Sequence, residues 1–429
     1  MMNLYLSDLS LKPEALENVR VLDLTNVVLG PAASDFLAEF GAEVIKVELP
    51  GVGDVMRYVT PWFFYHKNLS PGFEEQNHNK LHIAIDLRKN RGREIIYKLA
   101  KKCDVIIENF RPGTVDSWGI GYKQIREIKP DIIYLSLSGF GQWGRNALRV
   151  SYDATAQAES GMMYITGFPE REPIKFGAWL LDFAASITGA IAVIAALIYK
   201  KKTGKGQFID ISQNETGVRW MDWTWIYVGL TGKNRERCGN RDPAILPSGV
   251  YKCLDGFIAI VAYRDDEFLG LCKALNLDER YREFVDPLKR HFIVDELDKK
   301  LKDFCLNKKV KEIEEIAEKY GFVASKIYNS KDFYEDEHFR SRRTVWIYED
   351  HLWGELAEVQ AVKMSETPGR IKWTARPLGF DNEFVLTKIL GMSLEEIKEL
   401  EKEGVIGKWS ERKGTRPPED WDGRSGLFF

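Results

Sequence analysis

The sequence predicts an α/β protein built on a parallel sheet, with a smaller α+β region after it. Three observations carry this reading. Up to about residue 212, short runs rich in Val and Ile alternate with amphipathic helical segments, the pattern of βαβ units. A long uncharged apolar segment sits within that part. From about Gly239 the composition shifts to turn residues, a strand and highly charged helices.

In order, VRVLDL (19–24) is expected as a strand, AASDFLAEFG (32–41) as a short helix and AEVIKVEL (42–49) as the next strand. IAIDL (83–87), the helix around REIIYKLAKK (93–102) and DVIIENF (104–110) continue the pattern, followed by the helix YKQIREI (122–128) and the strand DIIYLSLSGF (131–140). Such sheets bind ligands beyond the carboxyl ends of their strands. FAASITGAIAVIAALIY (183–199) is shorter than the roughly 20 residues a membrane span needs. It is rich in Ala and Gly and is expected as a helix buried in a soluble core. Lys200, Lys201 and Lys202 suit its C-terminus, where cations offset the dipole. GQFIDIS (206–212) is a further strand and RWMDWTWIYVGL (219–230) a candidate helix. GNRDPAILPSGVYKCLDGFIAIVAY (239–263) reads as turns and then a strand, and charged helices run from about Asp286 to Lys319. Strand-like alternation returns over 345–379. MSLEEIKELEKEG (392–404) is a helix opened by a Ser393/Glu396 capping box. The polar tail from Lys408 is either disordered or laid across another surface.

The 429 residues are enough for two or three domains, and 44% are apolar. With 61 Lys and Arg against 64 Asp and Glu, the net charge of -3 argues against a nucleic-acid binder. The five cysteines are scattered, with no CxxC pair, so neither a disulfide framework nor a zinc site is expected. Reduced thiols fit a cytoplasmic protein. The N-terminus lacks the apolar core of a signal peptide.

The turn after the first strand, TNVVLGPAAS (25–34), lacks GxGxxG, and no P-loop, GxSxG or HExxH motif occurs. Asp182 is the only charge between Lys175 and Lys200 and opens the apolar segment. It either caps that helix or is a sheltered carboxylate suited to attack a thioester. His78 and His82 stand four apart in NHNKLHIAIDL and are expected at the surface or at a ligand's rim, with no metal site. Lys46, Arg57, Lys80, Arg88 and Arg111 fall near strand ends; they are either solvated surface or, if clustered, a phosphate site. Trp220, Trp223 and Trp225 cluster with Tyr227, either for packing or as an apolar acyl pocket.

Taken together, several segments resemble the class III CoA-transferases, the family of formyl-CoA transferase and the carnitine CoA-transferase. They are VLDLTNVVLGPAASDFLAEFGAEVIKVELPGVGD (21–54), NHNKLHIAIDL (77–87), DVIIENFRPGTVDSWGIGY (104–122), IIYLSLSGFGQWG (132–144), YDATAQAESGMM (152–163), 181–212 and 239–256. The resemblance runs from about residue 17 to about 405. It implies a Rossmann-like large domain over 1–225, a linker and small α+β domain over 226–340, and a return over 341–429 that completes the large domain. It also implies an interlocked homodimer, or a pairing with a related second subunit. No membrane, metal or tightly bound cofactor is implied; a coenzyme A thioester and a carboxylic acid are the substrates.

The family's catalytic aspartate precedes the Ala/Gly-rich helix, which is the position of Asp182. The implied chemistry passes through an aspartyl mixed anhydride and an aspartyl-CoA thioester. By position, the CoA contacts implied are Val27, Val28 and Leu29, then Ile85 and Arg88, then Asn109, Phe110 and Trp118. Arg88 would fork onto a phosphate, and Phe110 and Trp118 would flank the adenine. Leu49 stands where many members carry Arg or another polar residue. Val28 replaces a glutamine that lies beside the acyl group in formyl-CoA transferase, which disfavours formate or oxalate. Together with the tryptophans, this points to a bulky, apolar acceptor acid, such as a substituted succinate, and succinyl-CoA as donor. No GGGG run exists to supply the family's covering loop. The related racemases use a His–Asp pair, where this chain has Tyr152-Asp153; a phenol of pKa about 10 is a poor base at neutral pH.

Overall fold

The computed structural model describes residues 12–360, 362–409 and 413–423. Most of the N-terminal segment and parts of the polar tail lie outside them. The chain divides into two compact units: Met1–Ser160 with Gly177–Met221 and Arg340–Phe429, and Gly161–Phe176 with Asp222–Phe339.

The first unit is built on a six-stranded parallel sheet. Its strands are β1 (Arg20–Asp23), β2 (Glu43–Glu48), β3 (Lys80–Ala84), β4 (Val105–Glu108), β5 (Ile133–Ser138) and β6 (Phe208–Ser212), in the order β3-β2-β1-β4-β5-β6. All five pairings are parallel. β2 to β5 are buried almost throughout, as a sheet covered on both faces requires, and this is why they read as apolar runs. Helices α1 (Leu29–Glu39), α2 (Asn90–Ala100), α3 (Tyr122–Ile128), α4 (Asp153–Glu159), α5 (Leu180–Thr203) and α6 (Gln213–Arg219) surround it.

β3 departs from expectation, lying three residues earlier than IAIDL. Its first half carries Lys80 and His82, both fully buried, and polar residues mask a strand in sequence. They are buried because acids meet them. Lys80 Nζ lies 3.1 Å from Asp23 and His82 Nδ1 lies 3.3 Å from Glu48. His78 is buried as well, so neither histidine is at the surface or a ligand rim. Lys46 and Arg57 are likewise consumed inside, by Asp54 at 3.0 Å and Glu48 at 2.7 Å. The basic residues near β1 to β3 therefore form neither a solvated face nor a phosphate site. Burial raises the Asp23 carboxyl, but Lys80 and Lys46 overcome it and hold the group at about 2.

The outer edge of β3 is closed by the far end of the chain. The His82 and Ala84 amides donate to Asp381 Oδ2 (2.7 Å) and Asn382 Oδ1 (2.9 Å), and the Asp86 amide donates to the Val405 carbonyl (2.8 Å). Val385, Leu386, Leu400, Val405 and Ile406 enter the same apolar core as β2 and β3. Helix Leu394–Lys402 begins with the expected capping box: the Ser393 amide donates to Glu396 Oε2, and the Glu396 amide to Ser393 Oγ.

α5 is long and apolar enough to cross a membrane by length and composition, with a mean hydropathy of 2.1. Ala190, Val193 and Ala196 pack onto Leu135 and Leu137 of β5. It is not buried all round: Ile187, Ile191 and Ile198 are exposed on it. Both faces are apolar, and one chain covers only one of them.

The second unit has an antiparallel sheet of β7 (Ser248–Lys252), β8 (Phe257–Val261) and β9 (Val323–Lys326). Helices Val294–Leu306 and Val310–Tyr320 are the charged segments; Leu297, Leu301 and Ile313 supply their buried face. The segment 219–230 is not one helix. α6 ends at Arg219, the next helix is Thr224–Thr231, and Asp222 between them has a φ of 45°. All five cysteines are free thiols.

Candidate active site

The sheet order reverses between β1 and β4, and the carboxyl ends of those strands open the crevice where this topology binds ligands. Two turns meet there, locked by a reciprocal amide pair. The Asn26 amide donates to Asn109 Oδ1 (2.9 Å), and Asn109 Nδ2 donates to the Asn26 carbonyl (2.7 Å). Val27 has a φ of 71°, a left-handed conformation that β-branched residues avoid. Its amide donates to Asp54 Oδ1 at 3.0 Å, within the buried network around Lys46. Strained backbone of this kind gathers at functional sites.

The same turn is tied to α5. Ser186 Oγ donates to the Leu29 carbonyl at 2.6 Å, one helical turn beyond Asp182. Asp182 is the third residue of α5 and 9% exposed. It does not cap the helix, because Asp153 does: the Leu181 amide donates to Asp153 Oδ1 at 2.8 Å. Asp153 is itself held by Gln157 Nε2 at 2.7 Å. Gln213, the first residue of α6, donates from Nε2 to Asp182 Oδ1 at 2.5 Å, and its Oε1 accepts from Ser151 Oγ at 3.1 Å. Among the described residues no hydrogen bond reaches Asp182 Oδ2. Burial, and then the charge of Asp153, push the Asp182 carboxyl up to about 7.

The other expected residues fall at this edge, but not all present a side chain there. Val28 is buried with Met56, Leu69, Phe73 and Trp353, and Ile85 lies in the core under β3. Their side chains serve packing. Arg88 forks onto Asp86, at 2.8 and 2.9 Å, rather than standing open for a phosphate. Phe110 and Trp118 touch edge to face, with centroids 5.1 Å apart and planes at 72°, so no adenine-wide slot separates them. Sequence reasoning missed Gln213 and the capping role of Asp153. Gln213 follows β6 at the sheet's carboxyl edge, and that position was the one available signal.

The model of CoA-transferase family III matches residues 16–382. The chain belongs to CoA-transferase family III. It is 34% identical over 399 residues to the succinyl-CoA–D-citramalate CoA-transferase of Chloroflexus aurantiacus, covering 92% of this chain and 98% of that protein. It is also 34% identical over 408 residues to the alpha subunit of a succinyl-CoA–L-malate CoA-transferase of Chloroflexus aurantiacus, covering 91% and 92%. The crystal structure of a CAIB/BAIF family protein from Brucella suis superposes with a TM-score of 0.77 at 28% identity, over 88% of this chain and 99% of that one. This family III member is accordingly a CoA-transferase, an enzyme whose substrates are CoA thioesters and carboxylic acids.

Proposed function

We propose that this enzyme moves CoA from succinyl-CoA to a short dicarboxylic acid, with Asp182 as the covalent catalyst. The observation that carries this is a sheltered carboxylate with one oxygen fixed by Gln213, the other without a hydrogen-bond partner among the described residues, and the capping duty taken by Asp153. Asp182 Oδ2 attacks the thioester carbonyl carbon; the C–S bond breaks, leaving a mixed anhydride and CoA thiolate. The thiolate attacks the Asp182 carbonyl carbon and expels succinate, giving an aspartyl-CoA thioester. The acceptor carboxylate attacks that thioester and expels the thiolate, which then attacks the acceptor carbonyl and restores the Asp182 carboxylate. Each step conserves the activation of the thioester, and burial keeps out the water that would hydrolyse either intermediate. Incubation with succinyl-CoA and then hydroxylamine is expected to add a hydroxamate to the Asp182 peptide; an unlabelled peptide rejects the mechanism.

The acceptor expected from the sequence was a bulky, apolar acid such as a substituted succinate; Val28, one support for the apolar part of that idea, is a core residue here. The acceptors named for the two relatives, D-citramalate and L-malate, are short dicarboxylic acids. A panel of acids assayed with succinyl-CoA is expected to favour these over aromatic or long-chain acids by at least about tenfold in kcat/KM, about 1.4 kcal/mol.

Because the nucleophile must be ionised, kcat/KM is expected to fall about tenfold per pH unit below about pH 7. Asp153→Asn keeps the acceptor that caps Leu181 while removing the charge that raises Asp182. The acid limb should then move to lower pH, and an unmoved limb would show that Asp153 does not tune the nucleophile.

An interlocked dimer of two copies is part of the proposal. The exposed Ile187, Ile191 and Ile198 of α5 make an apolar stripe that a second chain would cover. Light scattering should give twice the chain mass, and a monomer would exclude it. The cytoplasm, with its reduced thiols, is the proposed location.

A further inference from the structure

α1 carries two acids one helical turn apart, Asp35 and Glu39, both turned inward and buried. Opposite them stands His78, from the segment that leads into β3. Glu74 and Glu358 lie beside the same imidazole, so four buried carboxylates share one histidine. Lys80, the nearest cation of the sheet, is engaged elsewhere by Asp23 and Asn77. Burying this many polar groups together is unfavourable unless each finds a partner.

The imidazole does not resolve it through hydrogen bonds. His78 Nε2 lies 3.2 Å from Asp35 Oδ2 and 3.4 Å from Glu39 Oε1. Yet among the described residues neither ring nitrogen meets a partner in hydrogen-bond geometry, and Asp35 Oδ1 and Glu74 Oε1 are also unpartnered. The oxygens are near enough to bond but lie off the direction in which Nε2–H would point. Ligand atoms around one small cation have this geometry. At metal–ligand distances of about 2.1 Å, neighbouring ligands stand about 3.0 Å apart in an octahedron and about 3.4 Å apart in a tetrahedron. In such a site the ligands flank the nitrogen's axis, because the ion would lie along it.

We propose that Asp35, Glu39 and His78 bind one divalent transition-metal ion through His78 Nε2 and one oxygen of each acid. One imidazole with carboxylates suits zinc or manganese. The ion joins α1, which begins at the strained Val27 turn, to the segment entering β3. It has no part in the transfer chemistry.

The test uses the full chain, stripped with chelator and dialysed, then titrated with zinc chloride or manganese chloride. Calorimetry and elemental analysis are expected to show one ion per chain, with a rise in Tm on binding. Glu39→Gln and His78→Gln should each weaken binding by about 100-fold or more. Glu39 is the least buried of the three ligands, and circular dichroism confirms that its variant is folded. Asp182→Asn should bind the ion as tightly as the parent, which separates this proposal from the catalytic one. The inference is overturned if neither metal binds, or if Glu39→Gln binds it undiminished. His78 would then be an imidazolium lodged between acids.

Discussion

Asp182→Asn is expected to lower kcat by at least about 10⁴-fold while leaving the fold intact. The amide is the same size and still meets Gln213, but its neutral oxygen cannot form an anhydride. The same substitution should raise stability above neutral pH. In the folded chain Asp182 titrates near 7, against the 3.8 of an ordinary aspartate. Between those values the folded state binds more protons than the unfolded one, so this group's contribution to stability falls as pH rises through the window. Asparagine removes that penalty. The Tm advantage of Asp182→Asn should therefore be small near pH 4 and largest above pH 7. Turnover within tenfold of the parent would mean that another residue carries the acyl group.

The parallel sheet was legible because β1, β2, β4 and β5 are buried on both faces, and such strands can only be apolar runs. β3 was harder to read for a matching reason. Lys80 and His82 look like surface residues until the acids that meet them, Asp23 and Glu48, are brought alongside from 57 and 34 positions away. Asp182 was visible as a lone charge at the head of an apolar helix. Its surroundings were not, since Gln213 is 31 residues distant and Asp153 stands 28 residues from the amide it caps. Arg88 and Phe110 were singled out by position alone, and which group a side chain meets there depends on Asp86 and Trp118, which spacing does not specify.

Arg57→Met should be the most damaging single change to stability, costing about 3–5 kcal/mol. Arg57 is 1% exposed and forks onto Glu48 at 2.8 and 2.7 Å. It also donates to the carbonyls of Arg376 and Gly414 at 3.0 Å. Methionine fills much of the volume but strands a buried carboxylate. Adding Glu48→Gln removes that charge and should recover most of the loss, while the two carbonyls stay unmet. Thermal melts of the parent, both single variants and the double variant give the coupling directly. Additive losses would show that the pair is not a unit.

The clasp on β3 bears on how the protein is made. Its hydrogen bond from His82 to Asp381 spans 299 residues. During synthesis this border therefore emerges from the ribosome long before the segment that seals it, leaving a row of open backbone groups able to recruit a neighbouring nascent chain. Folding that waits on such distant pairings is slow. Messages cut short before codon 381 should thus yield aggregates rather than a smaller working enzyme.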